Sequence, residues 1–406
     1  MLTQVEMPPP SRTEIPGWGE TAAARIAVQR LDLTNFRSHR SARIEGDGSC
    51  VVLTGPNGAG KTNVLEAVSF LAPGRGLRRA RLQEIDYDPA LCGESDAPDS
   101  ALPWAVSARV ASASALVTIG TGRDPAGESG DRRIVRIDGQ TIRGQAALGL
   151  HLHLVWLTPQ MDRLFQEGTA PRRRFLDRLV FALDPAHAAR LSAYEQNLRE
   201  RARLLRDGGD SAWIAQLEQA MAEHAVAVAA ARRDFTQRLD AVAGETLRGP
   251  FPVPRVTVAG TPESWLDTMP SLAAEERMRA ELAANRRIDA ESGGAVVGPH
   301  RSDLVVHHAV KGIVAARCST GEQKALLIAL VLAHARLQVD LRGAVPILLL
   351  DEIAAHLDPA RRRALFDAIL ALNAQAWMTG TDASFFAELA GSAQFFTVAG
   401  GTIAPG

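Results

Sequence analysis

The sequence predicts an α/β protein in which a buried parallel sheet carries the functional residues and a helical lobe is inserted between the two halves of that sheet. Three observations indicate this fold. The continuous apolar strand CVVLT, residues 50–54, leads through a glycine-rich loop into a helix. Residues 185–284 read mostly as helix. Strand and helix alternate again from Val296, and continuous apolar strands such as AVPILLLD are typical of parallel sheets covered on both faces.

An antiparallel β subdomain is predicted on either side of the glycine loop. Residues 25–46, RIAVQRLDLTNFRSHRSARIEG, alternate apolar and polar positions as half-buried strands do. Residues 104–120 and 132–142 show β patterns of the same kind, and GRDPAGESGD between them predicts a loop. The segment HLHLVWLTP, residues 151–159, predicts a further buried strand. In the helical region, Gly208-Gly209 predicts a break between two helices.

Composition excludes several classes of protein. The 406 residues carry a formal net charge of -1, so any nucleic-acid surface must be local. The three cysteines lie far apart, which fits neither a disulfide framework nor a zinc site and suits a reducing cytosol. No run approaches the roughly 18 apolar residues of a membrane span, and the N-terminus lacks the apolar core of a secretory signal. We expect a cytoplasmic protein with no membrane partner.

The glycine-rich loop matches the phosphate-loop pattern G-x-x-x-x-G-K-[ST]. Glycines allow backbone N–H groups to curl around phosphate oxygens, and the following helix adds its positive dipole. Lys61 is positioned for the β- and γ-phosphates, and the Thr62 hydroxyl for Mg²⁺. The alternative is a chance glycine-rich turn. The predicted nucleotide contacts are Gly55, Pro56, Asn57, Gly58, Ala59, Gly60, Lys61, Thr62 and Asn63.

The apolar strand ILLLDE ends in two acids. Asp351 is expected to hold Mg²⁺ directly or through water, and Glu352 to polarise the attacking water. With Lys61, Glu352 forms the predicted catalytic pair. The alternative is an ordinary strand end with two solvated acids.

A second anion site is predicted at Ser319, Thr320, Gly321 and Glu322, which precede a helix. A serine hydroxyl, a glycine backbone and a helix N-terminus together suit an anion. One nucleotide does not need two anion sites on one chain, whereas two chains facing each other would use both. The alternative is a plain helix N-cap.

A phosphate loop, a large insertion, an S-x-G-E motif and a strand ending in Asp-Glu, in this order, resemble the ABC-type ATPases. The segment AAHLD after Glu352 resembles their D-loop, with Asp358 as its acid. The resemblance narrows to the RecF family of the ABC/SMC-type superfamily, and it runs from about Ile26 to the C-terminus. The segments that carry it include GPNGAGKTNVLEAVSFL, TPQMDRLFQEGTAPRRRFLD, GPHRSDL, STGEQKALLIALVLA and LLLDEIAAHLD.

This resemblance implies an ABC-type P-loop ATPase lobe that binds ATP and Mg²⁺ and dimerises on ATP. It implies DNA binding at junctions of single strand and duplex, and action with RecO and RecR in recombinational gap repair, replication restart and the response to DNA damage. The implied activity is a weak DNA-dependent ATPase without nuclease activity, whose slow hydrolysis resets the protein. In the dimer, Ser319–Glu322 would close over the γ-phosphate bound by the other subunit.

Two further side chains are candidates for the nucleotide site. Arg37 in NFRSHR occupies the place where this superfamily carries a basic residue near the nucleotide; the alternative is a solvated surface arginine. Gln160 in TPQMD lies in a possible Q-loop and is a third candidate Mg²⁺ ligand; the alternative is a capping or surface glutamine. The switch histidine of transporter-type relatives is missing from MTGTD, where Thr381 or Asp382 could substitute.

DNA binding is predicted from local charge. The segment RGLRRAR follows the phosphate-loop helix, and arginine forks onto phosphate oxygens. The alternative is a solvated face. The predicted contacts are Arg75, Arg78, Arg79 and Arg81. Aromatic residues make up only 5% of the chain, which disfavours a base-stacking platform.

We divide the chain into a mobile tail at residues 1–24, an ATPase lobe at 25–184 and 295–406, and a helical insertion lobe at 185–294. Two rival functions fit the sequence less well. A transporter ATPase subunit predicts a switch histidine, which the sequence lacks. A nuclease of the overcoming-lysogenization type predicts an acidic, metal-binding C-terminal domain. We do not expect one here, because the sequence after Glu352 is too short for such a domain.

Overall fold

The computed structural model describes residues 23–87, 103–112, 115–124, 132–246, 249–355 and 357–406. The predicted tail, apart from Ala23 and Ala24, and most of the predicted GRDPAGESGD loop lie outside these residues. In the described part of the chain, no helix combines the length and apolar character that crossing a bilayer requires.

Strands and helices alternate at both ends of the chain, and helices dominate its middle. The strands are β1 (Ala24–Arg25), β2 (Ala27–Phe36), β3 (His39–Glu45), β4 (Cys50–Thr54), β5 (Ala105–Ala111), β6 (Leu116–Arg123), β7 (Arg133–Ile137), β8 (Gln140–Ile142), β9 (Leu154–Leu157), β10 (Pro254–Ala259), β11 (Asp303–His308), β12 (Ile313–Val314), β13 (Ala344–Val345), β14 (Ile347–Leu350), β15 (Ala376–Gly380), β16 (Ala393–Ala399) and β17 (Thr402–Pro405). The α-helices are α1 (Lys61–Ser69), α2 (Thr169–Leu183), α3 (Ala186–Asp207), α4 (Ser211–Thr246), α5 (Thr261–Trp265), α6 (Ser271–Ala284), α7 (Arg286–Ser292), α8 (Thr320–Arg342) and α9 (Pro359–Ala371).

The central sheet joins the two ends of the chain. Its strand order is β17-β16-β4-β15-β14-β9, and every pairing is parallel except that of β17 with β16. Thr54 pairs with Gly380, and Leu350 pairs with both Met378 and Leu157. Parallel strands end at one edge of a sheet. The loops that follow β4, β9, β14 and β15 therefore meet at that edge.

A second sheet, β3-β2-β5-β6-β7-β8, is antiparallel throughout and packs against α1. Phe36, Phe70 and Trp104 form the aromatic centre of this interface, with ring centroids 5.6 Å apart for Phe36–Trp104 and 5.1 Å for Phe70–Trp104. All three rings are buried, and burial of each stabilises the fold by roughly 2–3 kcal/mol. This packing fixes the phosphate-loop helix against the antiparallel sheet.

The segment STGEQKALLIALVLA forms α8, which is buried along most of its length. Its residues from Ala325 to Ala335 line the core without an exposed face, so the segment lacks the amphipathic period of a surface helix. α8 contacts β9 and α4, and thereby connects the central sheet to the helical lobe. Its N-cap is Ser319.

The helical lobe contains buried ion pairs in addition to an apolar core. Arg201 donates from Nε to Glu218 Oε1 at 2.9 Å and from Nη1 to Asp289 Oδ2 at 2.7 Å, and all three side chains are 1% exposed. Removal of one partner would leave an uncompensated buried charge. The predicted break is confirmed, since α3 ends at Asp207 and Gly208 follows with φ 68°.

One sequence interpretation in this region was incomplete. Residues 185–284 are predicted to be mostly helix, but Pro254–Ala259 within this range form strand β10. It pairs antiparallel with β11, and β12 completes a three-stranded sheet. The partner strand lies beyond α7, so local propensity could not reveal the pairing.

Candidate nucleotide site

The phosphate loop connects β4 to α1, as predicted. Gly55 has a φ of 145° and Gly60 a φ of 105°, values that residues with a side chain rarely adopt. A Cβ at Gly55 would also collide with the carbonyl oxygen of Val398, and one at Gly60 with Ser38 and His39. The loop therefore needs glycine at both ends for backbone conformation and for space.

The Lys61 side chain curls back over the loop. Its Nζ donates to the carbonyl oxygens of Gly55, at 2.7 Å, and Pro56, at 2.8 Å. Burial lowers the pKa of Lys61, while the nearby carboxylates of Glu352 and Asp351 raise it. The ammonium thus lies at the centre of the loop, where it can exchange two carbonyl acceptors for phosphate oxygens.

Thr62 and Asp351 meet across the sheet edge. The Thr62 hydroxyl donates to the Asp351 carboxylate at 2.9 and 3.1 Å, and Asp351 is buried. Thr379, at the end of β15, donates to Asp351 Oδ1 at 2.7 Å and accepts the Glu352 N–H at 2.8 Å. A hydroxyl and a carboxylate side by side are the hard oxygen ligands that Mg²⁺ prefers. The residues present fit a magnesium ion.

That ion would have to complete its coordination from other sources. Among the described residues, no group of three His, Cys, Asp or Glu side chains is arranged to hold a metal by itself. Mg²⁺ commonly takes one or two protein ligands and adds water and substrate phosphates. Thr62 and Asp351 are therefore suited to a metal that arrives with a nucleotide.

Glu352 has a left-handed backbone. Its φ is 49°, which costs a non-glycine residue of order 1 kcal/mol or more. The turn after β14 places Glu352 at the sheet edge beside Asp351, and Thr379 anchors its backbone N–H. Such strain is common where a side chain must be aimed at a reacting group.

The other candidate residues at this edge lie in or next to 3₁₀ turns. Gln160 is exposed in a 3₁₀ turn, Pro159–Arg163, that follows β9 at the edge carrying Asp351. Asp382 caps another 3₁₀ turn by accepting the Ser384 N–H at 2.8 Å, and Thr381 is exposed. Their roles stay predictions.

Arg37 makes contacts that the sequence did not suggest. Its guanidinium donates to both oxygens of Glu66, at 2.9 and 3.0 Å, and to the carbonyl oxygen of Glu84. Glu66 is fully buried in α1, one turn beyond Thr62. In this structure Arg37 therefore neutralises a buried carboxylate beneath the phosphate loop, and its predicted contact with nucleotide would need those bonds to open.

The S-x-G-E motif forms the N-terminus of α8. The Ser319 hydroxyl donates to Glu322 Oε2 at 2.9 Å, and the Ser319 N–H donates to the same oxygen at 3.1 Å. Lys311, from the β11–β12 turn, is paired with the other oxygen of Glu322. The pKa of Glu322 is lowered to about 2, first by Lys311 and then by the Ser319 bonds. The helix N-cap, which was the alternative interpretation of this motif, is thus present. The Ser319 hydroxyl is bonded to the carboxylate of Glu322 within the same motif.

Asp358 lies close to this motif. It caps α9 by accepting the Arg361 N–H at 2.9 Å, and Arg361 also reaches Gly321 O at 3.5 Å. Arg361 therefore links the predicted D-loop to the predicted signature.

The basic segment after α1 divides into two kinds of arginine. Arg75, Arg79 and Arg81 are exposed. Arg78 instead donates to Asn63 Oδ1 at 2.8 Å and to Glu66 Oε2 at 3.1 Å. Arg133 of β7 anchors the start of the segment by donating to Gly74 O at 2.7 Å. Arg78 is exposed like the other three arginines, but its guanidinium is bonded to Asn63 and Glu66 beside the phosphate loop.

Comparison with known proteins agrees with this geometry. Residues 27–403 match the family described as RecF/RecN/SMC N terminal domain. Together with the glycine loop and the Asp351–Glu352 strand end, this match defines the class as an ABC/SMC-type ATPase head. Within that class, the chain belongs to the RecF family, which confirms the resemblance seen in the sequence.

Two curated relatives support the assignment. The chain is 48% identical over 381 residues to the DNA replication and repair protein RecF of Rhizobium etli, covering 93% of this chain and 99% of that protein. It is 47% identical over 384 residues to the protein of the same name from Mesorhizobium japonicum, covering 94% and 98%.

Two solved structures share the fold. One is described as the recombination mediator protein RecF-ATPrS in the RecFOR pathway; its TM-score is 0.81 at 20% identity, covering 95% of this chain and 99% of that chain. The second, RecF-ATP of the same pathway, has a TM-score of 0.77 at 20% identity and covers 94% and 99%. These likenesses confirm the predicted α/β ATPase fold.

Proposed function

We propose that this protein binds ATP and Mg²⁺, dimerises on ATP at single-strand/duplex DNA junctions, and acts with RecO and RecR in gap repair and replication restart. The observation that carries the proposal is the assembly of Lys61, Thr62, Asp351 and Glu352 at one sheet edge. Support for the process comes from relatives named for DNA replication and repair and from neighbours described in the RecFOR pathway.

Each residue has a defined part in ATP hydrolysis. Bound ATP and Mg²⁺ would supply the scissile phosphoanhydride and a cation that neutralises its charge. Lys61 would exchange its two loop carbonyls for the β- and γ-phosphates. Thr62 and Asp351 would hold the metal, with Gln160 as the further proposed ligand. Glu352 accepts a hydrogen bond from the attacking water and takes its proton. Slow turnover of this weak DNA-dependent ATPase then resets the dimer.

The signature is proposed to act on the partner subunit's nucleotide. In the single chain, the bonds of Ser319 and Glu322 stay within the motif and with Lys311. For a phosphate to bind there, the Ser319 hydroxyl has to turn away from Glu322. An isologous dimer makes every such contact twice, which gives both anion sites a use.

A direct test measures DNA binding with ATP, with ADP and without nucleotide, on gapped, duplex and single-stranded DNA of equal length. Tightest binding to gapped DNA with ATP is expected. Equal affinity for all three substrates in all nucleotide states would contradict ATP-gated junction binding.

Lys61→Met is expected to abolish ATP binding at micromolar nucleotide and, with it, hydrolysis and ATP-driven dimerisation. The change removes the Lys61 ammonium, which is bonded to two carbonyl groups of the loop, and it keeps a side chain of similar length. Calorimetric titration with ATP and sedimentation with and without ATP measure the two effects. Because Lys61 bonds only loop carbonyls, the melting temperature without nucleotide should change little; a variant that still dimerises with ATP would contradict the assignment.

Arg75→Ala/Arg79→Ala is expected to weaken DNA binding for all sequences alike. If both arginines contact phosphates, the slope of log affinity against log salt should fall by about 0.9 per lost contact. Fluorescence anisotropy at several salt concentrations measures this slope. Arg78→Ala is the matched control, since Arg78 is bound to Glu66 and should affect ATP binding more than the slope. An unchanged slope in the double variant would assign these arginines to a solvated face.

A further inference from the structure

Arg178 is an arginine of α2 whose side chain lies against two aromatic rings. Its guanidinium carbon lies 4.6 Å from the ring centroid of Trp156, on β9, and 5.3 Å from that of Phe175. Among the described residues, its side chain makes a single weak hydrogen bond, from Nη2 to the Met161 sulfur at 3.7 Å. β9 lies at one end of the strand order of the central sheet. Arg178 is therefore placed at the margin of that sheet.

Arg178 lacks the carboxylate partner that Arg172 and Arg232 have. Arg172, on the same helix, donates to both oxygens of Asp303 at 2.7 and 2.8 Å, and Arg232 donates to both oxygens of Asp177 at 2.8 and 2.9 Å. No described carboxylate pairs with Arg178. Burial, and after it the charge of a neighbouring arginine, lower the pKa of Arg178 to about 9, so the group is still charged at neutral pH.

The stacked arrangement leaves most N–H groups of Arg178 available to a ligand. A guanidinium carries five N–H donors in its own plane, whereas stacking on an aromatic ring uses only its face. The side chain is half-buried, and none of its nitrogens is both buried and without a partner. The donors that have no protein partner therefore reach solvent at the sheet margin. Two parallel N–H groups of such a fork match two oxygens of a phosphate.

Two other arginines lie on the same side of the molecule. Arg79 is exposed, and its charge acts on Arg178. Leu77, in the same segment as Arg79, packs against the apolar cluster that Trp156 also contacts. Arg174 is exposed one turn before Arg178 on α2, and residues four apart share a helix face. Because like charges repel, three arginines without a described carboxylate between them favour the binding of an anion.

We infer that Arg178 is a further DNA-binding residue, whose guanidinium is held on the face of Trp156 and binds a phosphate of the DNA backbone beside Arg79. The inference rests on the proposed DNA binding by the segment that contains Arg79, and it extends that surface to α2. The DNA backbone carries a phosphate at every nucleotide, so arginines from two elements can contact successive phosphates. Such contacts position the protein without reading bases, and Arg178 should act on all DNA sequences alike.

Arg178→Met tests the contact, because methionine removes the charge and keeps a flexible side chain that packs well on aromatic rings. With ATP present, we expect the Kd for a short fluorescent duplex to rise about tenfold, as for the loss of a charged hydrogen bond. The slope of log affinity against log salt should fall by about 0.9. Fluorescence anisotropy measures both. The melting temperature without DNA should not fall, because the change removes a partly desolvated charge that has no counter-ion.

Two further variants separate phosphate binding from packing. Arg203→Met changes an exposed arginine of α3 that is paired with Glu200 and Asp207, and it should leave the Kd and the slope unchanged. Arg178→Lys keeps the charge and therefore the slope, whereas its Kd should rise about threefold because an ammonium cannot form a fork. Unchanged Kd and slope in Arg178→Met, whether or not its melting temperature falls, would assign Arg178 to packing alone and overturn the inference. Absence of DNA binding by the wild-type protein would instead refute the proposed function.

A measurement on the wild-type protein covers the case in which Arg178→Met does not fold. In protein labelled with ¹⁵N-arginine, the Nε–H signal of Arg178 is assigned by its absence from Arg178→Lys. Saturation with the duplex, in the presence of ATP, should shift this signal, because a phosphate then accepts hydrogen bonds from the guanidinium. A signal that stays in place when the duplex saturates the protein would overturn the inference.

Discussion

Glu352→Gln should leave ATP binding intact and slow hydrolysis by at least about a hundredfold, the usual size of a general-base contribution. The amide keeps the size of the side chain but cannot take a proton from water. The backbone N–H of Glu352 is bound to Thr379, and this bond does not depend on the carboxylate. ATP-bound dimers should therefore accumulate. Phosphate release and sedimentation with ATP measure the two effects.

Glu352→Gly is the matched control for that experiment. It also removes the carboxylate, but glycine adopts the φ of 49° without strain. The two variants should be equally slow in hydrolysis, while the glycine variant should be the more stable to denaturant, by about 1 kcal/mol. A glutamine variant that binds ATP and still turns over at the wild-type rate would remove Glu352 from the role of base.

The sequence predicted the parts of the site that depend on local pattern. The loop at residues 55–60 and the acids after β14 follow from strand and helix signals next to them. The glycines themselves are the signal, because glycine adopts the positive φ values at Gly55 and Gly60 far more readily than other residues do. The N-cap at Ser319, which was the alternative to the predicted anion site, is also a local feature, because the capping side chain bonds within the first turn of its own helix.

The residues that sequence analysis missed act through tertiary contacts. Thr379 lies one residue before the end of β15, and only the parallel register of β15 with β14 brings its hydroxyl to Asp351. Glu66 is buried on α1, and Arg37 and Arg78 approach it from two other segments. A polar residue inside a buried strand was the available signal for Thr379, and a charge on the apolar side of α1 was the signal for Glu66.

Mixing two inactive variants should restore activity if each ATP site is shared between subunits. Lys61→Met lacks a working loop but keeps its signature; Ser319→Arg is the reverse. In a mixed dimer, one composite site inherits both defects and the other inherits none. With free exchange, half of the dimers hold one intact site each, so an equal mixture should recover up to roughly a quarter of wild-type activity. Phosphate release by the mixture and by each variant alone measures this.

A double variant, Lys61→Met/Ser319→Arg, is a second test of sharing that does not depend on recovery of activity by the single variants. Under sharing, each mixed dimer of the double variant with wild type has two damaged sites. An equal mixture should then give about half the activity that the wild-type portion gives alone, and less with excess variant. If Ser319 serves only its own subunit, the wild-type subunits stay fully active. Because Ser319 also caps α8, and loss of an N-cap costs about 1 kcal/mol, the melting temperature of each variant has to be compared first. The shared site would be rejected by three results together: the mixed single variants recover no activity, the double variant does not inhibit the wild type, and crosslinking proves that mixed dimers form. Ser319 would then act only on the nucleotide of its own subunit.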